Sequence, residues 1–297
     1  MRLKPINMSS EENTTQKKSG IAVLVGRSNS GKSTLMNSLV GTKVAITTPK
    51  PQTTRHTIQG VVNDDRGQIV FVDTPGIFTR VPDHLTAKLN ERAIDALTEV
   101  DVVVYVVDPT RHVAEEEERV HRLVKNSKAP KVLVLNKSDL KPEYIDEYLS
   151  WKDEFVAIIK VSALQEKNLK ALVQTILDEL PRGEPLYPDA SFTDKSAEFR
   201  LEELIREKLF LSLHQEVPYT TTVKIDELER RDNGLLYINA RVITTSPRYR
   251  KMIIGSGAKK IKHVGQSVRK ELELVTNGKV YIALEVVVEE NWQERFI

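Results

Sequence analysis

Residues 26–33, Gly26-Arg27-Ser28-Asn29-Ser30-Gly31-Lys32-Ser33, constrain this chain more than any other stretch. An apolar run, Ile21-Ala22-Val23-Leu24-Val25, precedes them, and Thr34-Leu35-Met36-Asn37-Ser38-Leu39-Val40 follows with helical spacing. The pattern is strand, Gly-x-x-x-x-Gly-Lys-Ser, helix. Its two glycines let the backbone wrap a phosphate chain, so that the N–H groups of the loop and of Thr34 turn inward. The start of the helix adds its partial positive charge. Lys32 is placed to reach the β- and γ-phosphates, and Ser33 to put its hydroxyl on Mg²⁺.

A phosphate loop of this kind needs further groups, and the chain offers them in order. Residues 41–57 hold Pro49, Pro51 and many hydroxyls, which makes a long loop. Thr54, with Thr53 next, is the candidate for the metal and the γ-phosphate. Residues 58–63 and 68–73 read as two strands around the turn Asp64-Asp65-Arg66-Gly67. The second ends on Asp73-Thr74-Pro75-Gly76, a carboxylate for Mg²⁺ followed by a glycine whose N–H can meet the γ-phosphate. Val102–Val107 is a continuous apolar run, as in a strand buried on both faces. Residues 114–125 read as a helix with Glu115 to Glu118 as its solvated start. Lys131-Val132-Leu133-Val134-Leu135 leads into Asn136-Lys137-Ser138-Asp139. A carboxylate at Asp139 can accept two hydrogen bonds from guanine, and adenine offers no such pair of donors. Asn136 can bond the base and brace the loops, while the stem of Lys137 packs on the ring. A strand at 155–159 precedes Ser162-Ala163-Leu164, where the Ala163 N–H would meet guanine O6. A helix at 168–180 closes the series.

Strand and helix alternate through 21–180, so the first domain reads as a doubly wound α/β sheet. Each candidate follows the C-terminal end of a strand, where such sheets bind ligands. The chain has 297 residues and no cysteine, which excludes disulfides and thiolate metal sites. Residues 1–18 are polar, lack the apolar segment of a signal peptide, and read as a disordered tail. No apolar run approaches the ~20 residues that span a bilayer. A cytoplasmic location is the expectation.

The domain plan is tail 1–18, first domain 19–181, linker 182–195 with Pro185 and Pro188, and second domain 196–297. The second reads helix (196–213), two strands (219–229, 235–245), short helix to Ile254, helix to about 275, strand (279–288), an α+β order. Ser246-Pro247 can cap and open the short helix. Ile261, Val264, Val268, Leu272 and Val275 make the buried side of the long one. Between Asn233 and Lys270 there is no acidic residue, yet Arg241, Arg248, Arg250, Lys251, Lys259, Lys260, Lys262, Arg269 and Lys270 are all basic. They surround the glycine break Gly255-Ser256-Gly257. Glycines for close approach, helix N-termini and cations together suit a phosphodiester backbone, RNA rather than DNA. The same charges also suit an acidic protein or an anionic membrane. His263 beside the loop stands alone and is no catalytic cluster.

The first half resembles the GTPase G-domain family and the second a type II KH domain. Taken together, the phosphate loop, Pro51-Gln52-Thr53-Thr54-Arg55-His56, Asp73-Thr74-Pro75-Gly76, Asn136-Lys137-Ser138-Asp139 and Ser162-Ala163-Leu164 resemble the Era family of bacterial ribosome-assembly GTPases. So do Ile205-Arg206-Glu207-Lys208-Leu209 and Lys251-Met252-Ile253-Ile254-Gly255. That resemblance implies a P-loop GTPase domain followed by a KH domain, with GTP and GDP as ligands. It implies binding at the 3′ end of 16S rRNA in the 30S subunit, by a monomer loosely associated with the membrane. RNA would lie on Arg248, Arg250, Lys251, Ile254, Gly255, Ser256, Gly257, Ala258, Lys259, Lys260 and Lys262. Ser28 replaces the family's usual proline, and the loop keeps its glycines. Ala258 replaces the last glycine of the KH Gly-x-x-Gly loop, which restricts the backbone there. Ile77 stands where Ras-like GTPases carry a water-orienting Gln, so hydrolysis should be slow or use other groups. Asn29 is where the resemblance implies a ligand for K⁺, a second candidate cofactor beside Mg²⁺.

Overall fold

The computed structural model describes residues 17–76 and 84–295. The expectations for residues 1–16 and for Ile77 lie outside those residues. The first sheet has the order β2-β3-β1-β4-β5-β6, formed by β1 (Lys18–Val25), β2 (Ile58–Asp64), β3 (Gly67–Asp73), β4 (Val102–Val107), β5 (Lys131–Leu135) and β6 (Ala157–Lys160). All neighbours are parallel except the β2/β3 hairpin. Every residue of β4 is buried, because β4 lies mid-sheet and apolar clusters cover both faces. One cluster sits beneath α1 (Lys32–Val40) and α5 (Leu169–Glu179). The other lies beneath α2 (His84–Asp95), α3 (Glu115–Lys125) and α4 (Ile145–Leu149).

The stretch 182–195 is a strap along the outer edge of β2 rather than a free linker. Val61 N–H donates to the Phe192 carbonyl (3.1 Å), Asn63 Nδ2 to the Asp189 carbonyl (2.9 Å), and Gln59 N–H to Asp194 Oδ1 (3.0 Å). Gln68 clasps the backbone of Tyr187 through both atoms of its amide. The unpaired edge of the sheet is thereby covered.

The second sheet has the order β7-β8-β9, with β7 (Thr221–Arg230) antiparallel to β8 (Leu236–Thr244) and β8 parallel to β9 (Val280–Val288). Its buried face carries α6 (Ala197–Ser212), α7 (Pro247–Ile254) and α8 (Lys259–Thr276). Ser196 and Ser246 cap α6 and α7 through their side-chain oxygens. One expected core position is wrong: Val275 is 80 % exposed, as is its neighbour Leu274 at 76 %, so the apolar packing of α8 ends at Leu272.

Candidate functional sites

The strand ends and loops converge at the C-terminal edge of the first sheet. Lys32 Nζ is buried and donates to the carbonyls of Gly26 (2.9 Å) and Arg27 (3.0 Å). Burial holds its pKa below the ordinary lysine value, against the pull of Asp73. Gly31 fits because a Cβ there would come within 2.3 Å of Asn136 Nδ2. Gly76 lies equally close to the phosphate loop, where a Cβ would come within 2.9 Å of Ser28 Cα.

Ser33, Thr54 and Asp73, expected together from the sequence, are together. Ser33 Oγ donates to Asp73 Oδ2 (2.6 Å) and lies 2.9 Å from Thr54 Oγ1. Thr53 turns away, its hydroxyl on Thr48 and on the Lys50 carbonyl. Burial pushes the Asp73 carboxyl up to about 6, although Lys32, Ser33 and Thr54 pull it down. Asp73 Oδ1 is buried without a hydrogen-bond partner. An all-oxygen set with one orphaned carboxylate oxygen suits a hard divalent cation. Thr74 instead secures the strand end, donating to the Leu24 carbonyl (2.9 Å). A cavity of about 70 Å³ remains among Ser28–Thr34, Gly76 and the roof formed by 46–54. That is room for a few waters.

At the base-reading end, Asn136 braces the loops, donating to the Ser30 carbonyl (2.9 Å) and accepting from Ala163 N–H (3.1 Å). The Ala163 N–H, expected at guanine O6, donates here to Asn136 Oδ1. Ser162 Oγ donates to Asp139 Oδ1, while the Leu164 side chain is exposed. Lys137 Nζ spans Asp108 Oδ2 (2.6 Å) and the Asn29 carbonyl (3.1 Å). Asp108 was missed in the sequence. Burial raises its pKa, but the bonds from Lys137 and Thr110 prevail and hold it below the usual value. Its signal was the one used for Asp73, a carboxylate closing an apolar strand.

The Arg27 side chain points away from the phosphate cavity and is buried; its Nε lies 3.0 Å from Glu117 Oε2. Its guanidinium also reaches the carbonyls of His112 and Asp108 and the Tyr148 hydroxyl. Glu117, expected in the solvated start of α3, is fully buried and accepts from Tyr105 OH (2.6 Å). Only the backbone of Arg27 is left for a nucleotide. Asn29 Nδ2 donates to the Pro49 carbonyl (3.0 Å), linking the phosphate loop to the roof.

The roof loop is also held by the second domain. Arg55 is fully buried there, donating to the carbonyls of Thr221 (2.7 Å), Pro218 and Tyr219 (both 3.4 Å). Its guanidinium lies 5.5 Å from the rings of both Phe210 and Trp292. Lys50 donates to the carbonyls of Phe210 and Leu213, Thr47 N–H donates to Glu207 (3.1 Å), and Arg206 reaches the Thr53 carbonyl. Leu85 and Leu89 of α2 pack on Ile243 and Trp292.

In the second domain, Arg248, Arg250, Lys251, Lys259, Lys260 and Lys262 are exposed around the loop 255–258. Arg250 also donates to the Val286 carbonyl (2.8 Å), and Ile254 packs partly into the core. Gly255 has φ 72° and ψ 171°, a region essentially reserved for glycine. Ala258 keeps the left-handed backbone of the glycine it replaces, at φ 58°, a strain of about 1–2 kcal/mol. Arg241 is withdrawn from the cationic group because Asp226 holds it through bonds of 2.9 Å.

Residues 21–137 match the family model described as 50S ribosome-binding GTPase, and residues 216–293 match the KH domain. "GTPase Era" of Halothermothrix orenii is 39% identical over 281 residues, covering 94% of this chain and 95% of its own. The crystal structure of a point variant of Aquifex aeolicus Era bound to GDP and AlF4⁻ superposes with a TM-score of 0.87. It is 37% identical, covering 94% of this chain and 96% of its own. The structure of Era in complex with MgGDPNP and nucleotides 1506–1542 of 16S ribosomal RNA gives a TM-score of 0.88, with the same identity and coverage.

Proposed function

The chain belongs to the Era GTPase family, and we propose on that premise that its GTP state sets its grip on the 3′ end of 16S rRNA during assembly of the 30S subunit. Residues 19–181 then form the GTP-binding domain, 182–195 the strap, and 196–297 the RNA-binding domain. The observation that carries this reading is that one loop serves both halves. Thr54 stands at Ser33 and Asp73, while its neighbour Arg55 is buried in the second domain.

Ser33, Thr54 and Asp73 are the residues that would hold Mg²⁺, which supplies positive charge between the β- and γ-phosphates. Lys32 exchanges two backbone carbonyls for phosphate oxygens when a nucleotide arrives, regaining the anionic partners that its burial demands. The N–H groups of 26–34 and of Gly76 line the phosphates. Asp139 reads the guanine edge, held by Ser162, and Lys137 packs beside the ring, held by Asp108. Ile77 cannot orient a water, so hydrolysis is slow and serves as a timer. The free amide oxygen of Asn29 supports K⁺ as a second cation at the phosphates. The RNA contacts are the exposed cations around 255–258 with Ile254 at their edge. A monomer loosely associated with the inner face of the membrane completes the proposal on the family resemblance. Among the described residues no helix is long and apolar enough to cross a membrane.

The test is binding of a fluorescent single-stranded RNA from the 3′ end of 16S rRNA. It is measured with a non-hydrolysable GTP analogue, with GDP and without nucleotide. Tighter binding with the analogue, and preference over a scrambled RNA, is expected. Binding indifferent to both nucleotide and sequence would overturn the proposal.

A further inference from the structure

The α8 face that leaves the loop 255–258 forms one wall of a groove of about 260 Å³, and the edge strand β9 forms the other. Ile261, Gly265, Ile282 and Leu284 line it with apolar surface. Gly265 sits inside a helix, where glycine costs about 1 kcal/mol relative to alanine. Its missing side chain leaves the groove open above Leu284 and Ile282, which a Cβ would approach to 3.7 and 3.9 Å. Lys262 and Arg269 border the groove about 10 Å apart along the helix, and Arg269 has only a loose partner in Glu273 (3.7 Å).

Tyr281 closes the far end. It is the second residue of β9 and is 51 % exposed. Its ring stacks on Tyr237 of β8, with centroids 5.3 Å apart and planes 8° from parallel. The guanidinium of Arg231 lies over Tyr237 at 4.1 Å. Arg231, Tyr237 and Tyr281 thus form a column on the open face of the sheet, ending at the groove. A cross-strand pair alone would cover the sheet. Here the column braces a phenol ring from behind, and its exposed end borders the groove that Lys262 and Arg269 flank.

We propose that Tyr281 is a nucleobase-stacking subsite for single-stranded RNA. It extends the path of the strand from the Gly255–Ala258 loop along α8 to the sheet edge, with Lys262 and Arg269 on the flanking phosphates. The inference rests on the RNA-binding reading above and adds to it a contact of a different physical kind. Stacking on an aromatic ring tolerates any base and depends little on salt, whereas phosphate contacts release counterions.

The experiment uses the full chain with a non-hydrolysable GTP analogue and the fluorescent 16S 3′-end RNA, titrated over a salt series. Tyr281→Ala should weaken binding roughly 5- to 150-fold without changing the salt slope. Tyr281→Phe keeps the π-face and should stay within about twofold of wild type. Tyr281→Leu keeps apolar cover on Tyr237 without a π-face and should fall with alanine. This guards against loss through sheet packing, and thermal unfolding of each variant checks the fold. Lys262→Ala should instead reduce the salt slope by about 1. Scanning the RNA with single abasic positions should find one that costs wild type as much as Tyr281→Ala does, and costs that variant nothing more. If Tyr281→Ala and Tyr281→Leu bind as wild type while Lys262→Ala weakens binding, the groove holds RNA and the stacking subsite is refuted. If wild type binds no RNA, the underlying reading falls with it.

Discussion

Glu117 shows how one residue can carry a meaning that its neighbours in sequence conceal. Four acids at a helix start look like a solvated dipole partner. The third, however, meets Arg27, which lies far away in sequence inside the phosphate loop, with exposures of 0 and 2 %. Burial pushes the Glu117 carboxyl up, and the bonds from Tyr105, Arg27 and Tyr148 pull it back. The pair pins Arg27, whose carbonyl is one of the two that hold Lys32. Removing one partner leaves an uncompensated buried charge, at a cost of about 3–5 kcal/mol. Glu117→Ala is therefore expected to lower stability by that order and to raise the dissociation rate of GDP, read by denaturant unfolding and by release of a fluorescent GDP. Wild-type values for both would show that Arg27 needs no counter-ion. Asp108 acts in the same way on the base side, where its carboxylate fixes Lys137.

Among the elements, legibility followed burial geometry. The buried strands β1, β3, β4 and β5 were plain in the sequence because apolar runs bounded by loop signals leave few alternatives. The carboxylate or amide closing each of three of them (Asp73, Asp108, Asn136) marks the site. Helix α2 and the short α4 were not read, since their packing is set by long-range partners: α2 seats on Ile243 and Trp292, and Tyr148 of α4 joins the buried cluster that holds Tyr105. The roof loop had no periodicity to read, because its contacts alternate between a phosphate cavity and a second domain. His56 on that loop gives an element-scale prediction. Burial drives its pKa down to about 4; Arg206, Arg92 and Arg55 lower it further, and Glu203 opposes them. The unfolded chain, with an ordinary value near 6.5, binds a proton that the folded chain refuses. Stability is thus complete above about pH 6.5 and is lost as pH falls toward 4, by up to about 3 kcal/mol. Asp73, raised to about 6, titrates in the same window with the opposite sign. The difference between wild type and His56→Phe, which keeps an aromatic edge for Phe199, isolates the histidine. Denaturant unfolding at pH 7 and 4.5 should show wild type losing more than the variant. Parallel losses would refute the assignment.

At the scale of the molecule, the two domains share a loop, and that makes a thermodynamic demand. If GTP tightens RNA binding by some factor, RNA must tighten GTP binding by the same factor, because coupling between binding sites is reciprocal. The coupling needs an element that both ligands bias, and residues 47–55 are the candidate. One end roofs the phosphate cavity; the other is held by carbonyls and rings of the second domain through Arg55. Arg55→Ala removes the buried part of that hold, leaving the contacts of Thr47, Lys50 and Thr53, and leaves buried carbonyls short of a donor, at about 1–3 kcal/mol for a group left without any partner. The hydroxyls of Ser33 and Thr54 and the carboxylate of Asp73 stay in place, so GTP should still bind. What should vanish is the exchange between sites. RNA affinity should become the same with GTP analogue and with GDP, and RNA should cease to change the affinity for GTP analogue. Both losses must occur together, since they are one free energy measured from two ends. If Arg55→Ala keeps the nucleotide dependence of RNA binding at its wild-type ratio, Arg55 is a packing contact, and the link between the domains must run instead through the contacts of Thr47, Lys50 and Thr53 or through α2 and its seat on Ile243 and Trp292.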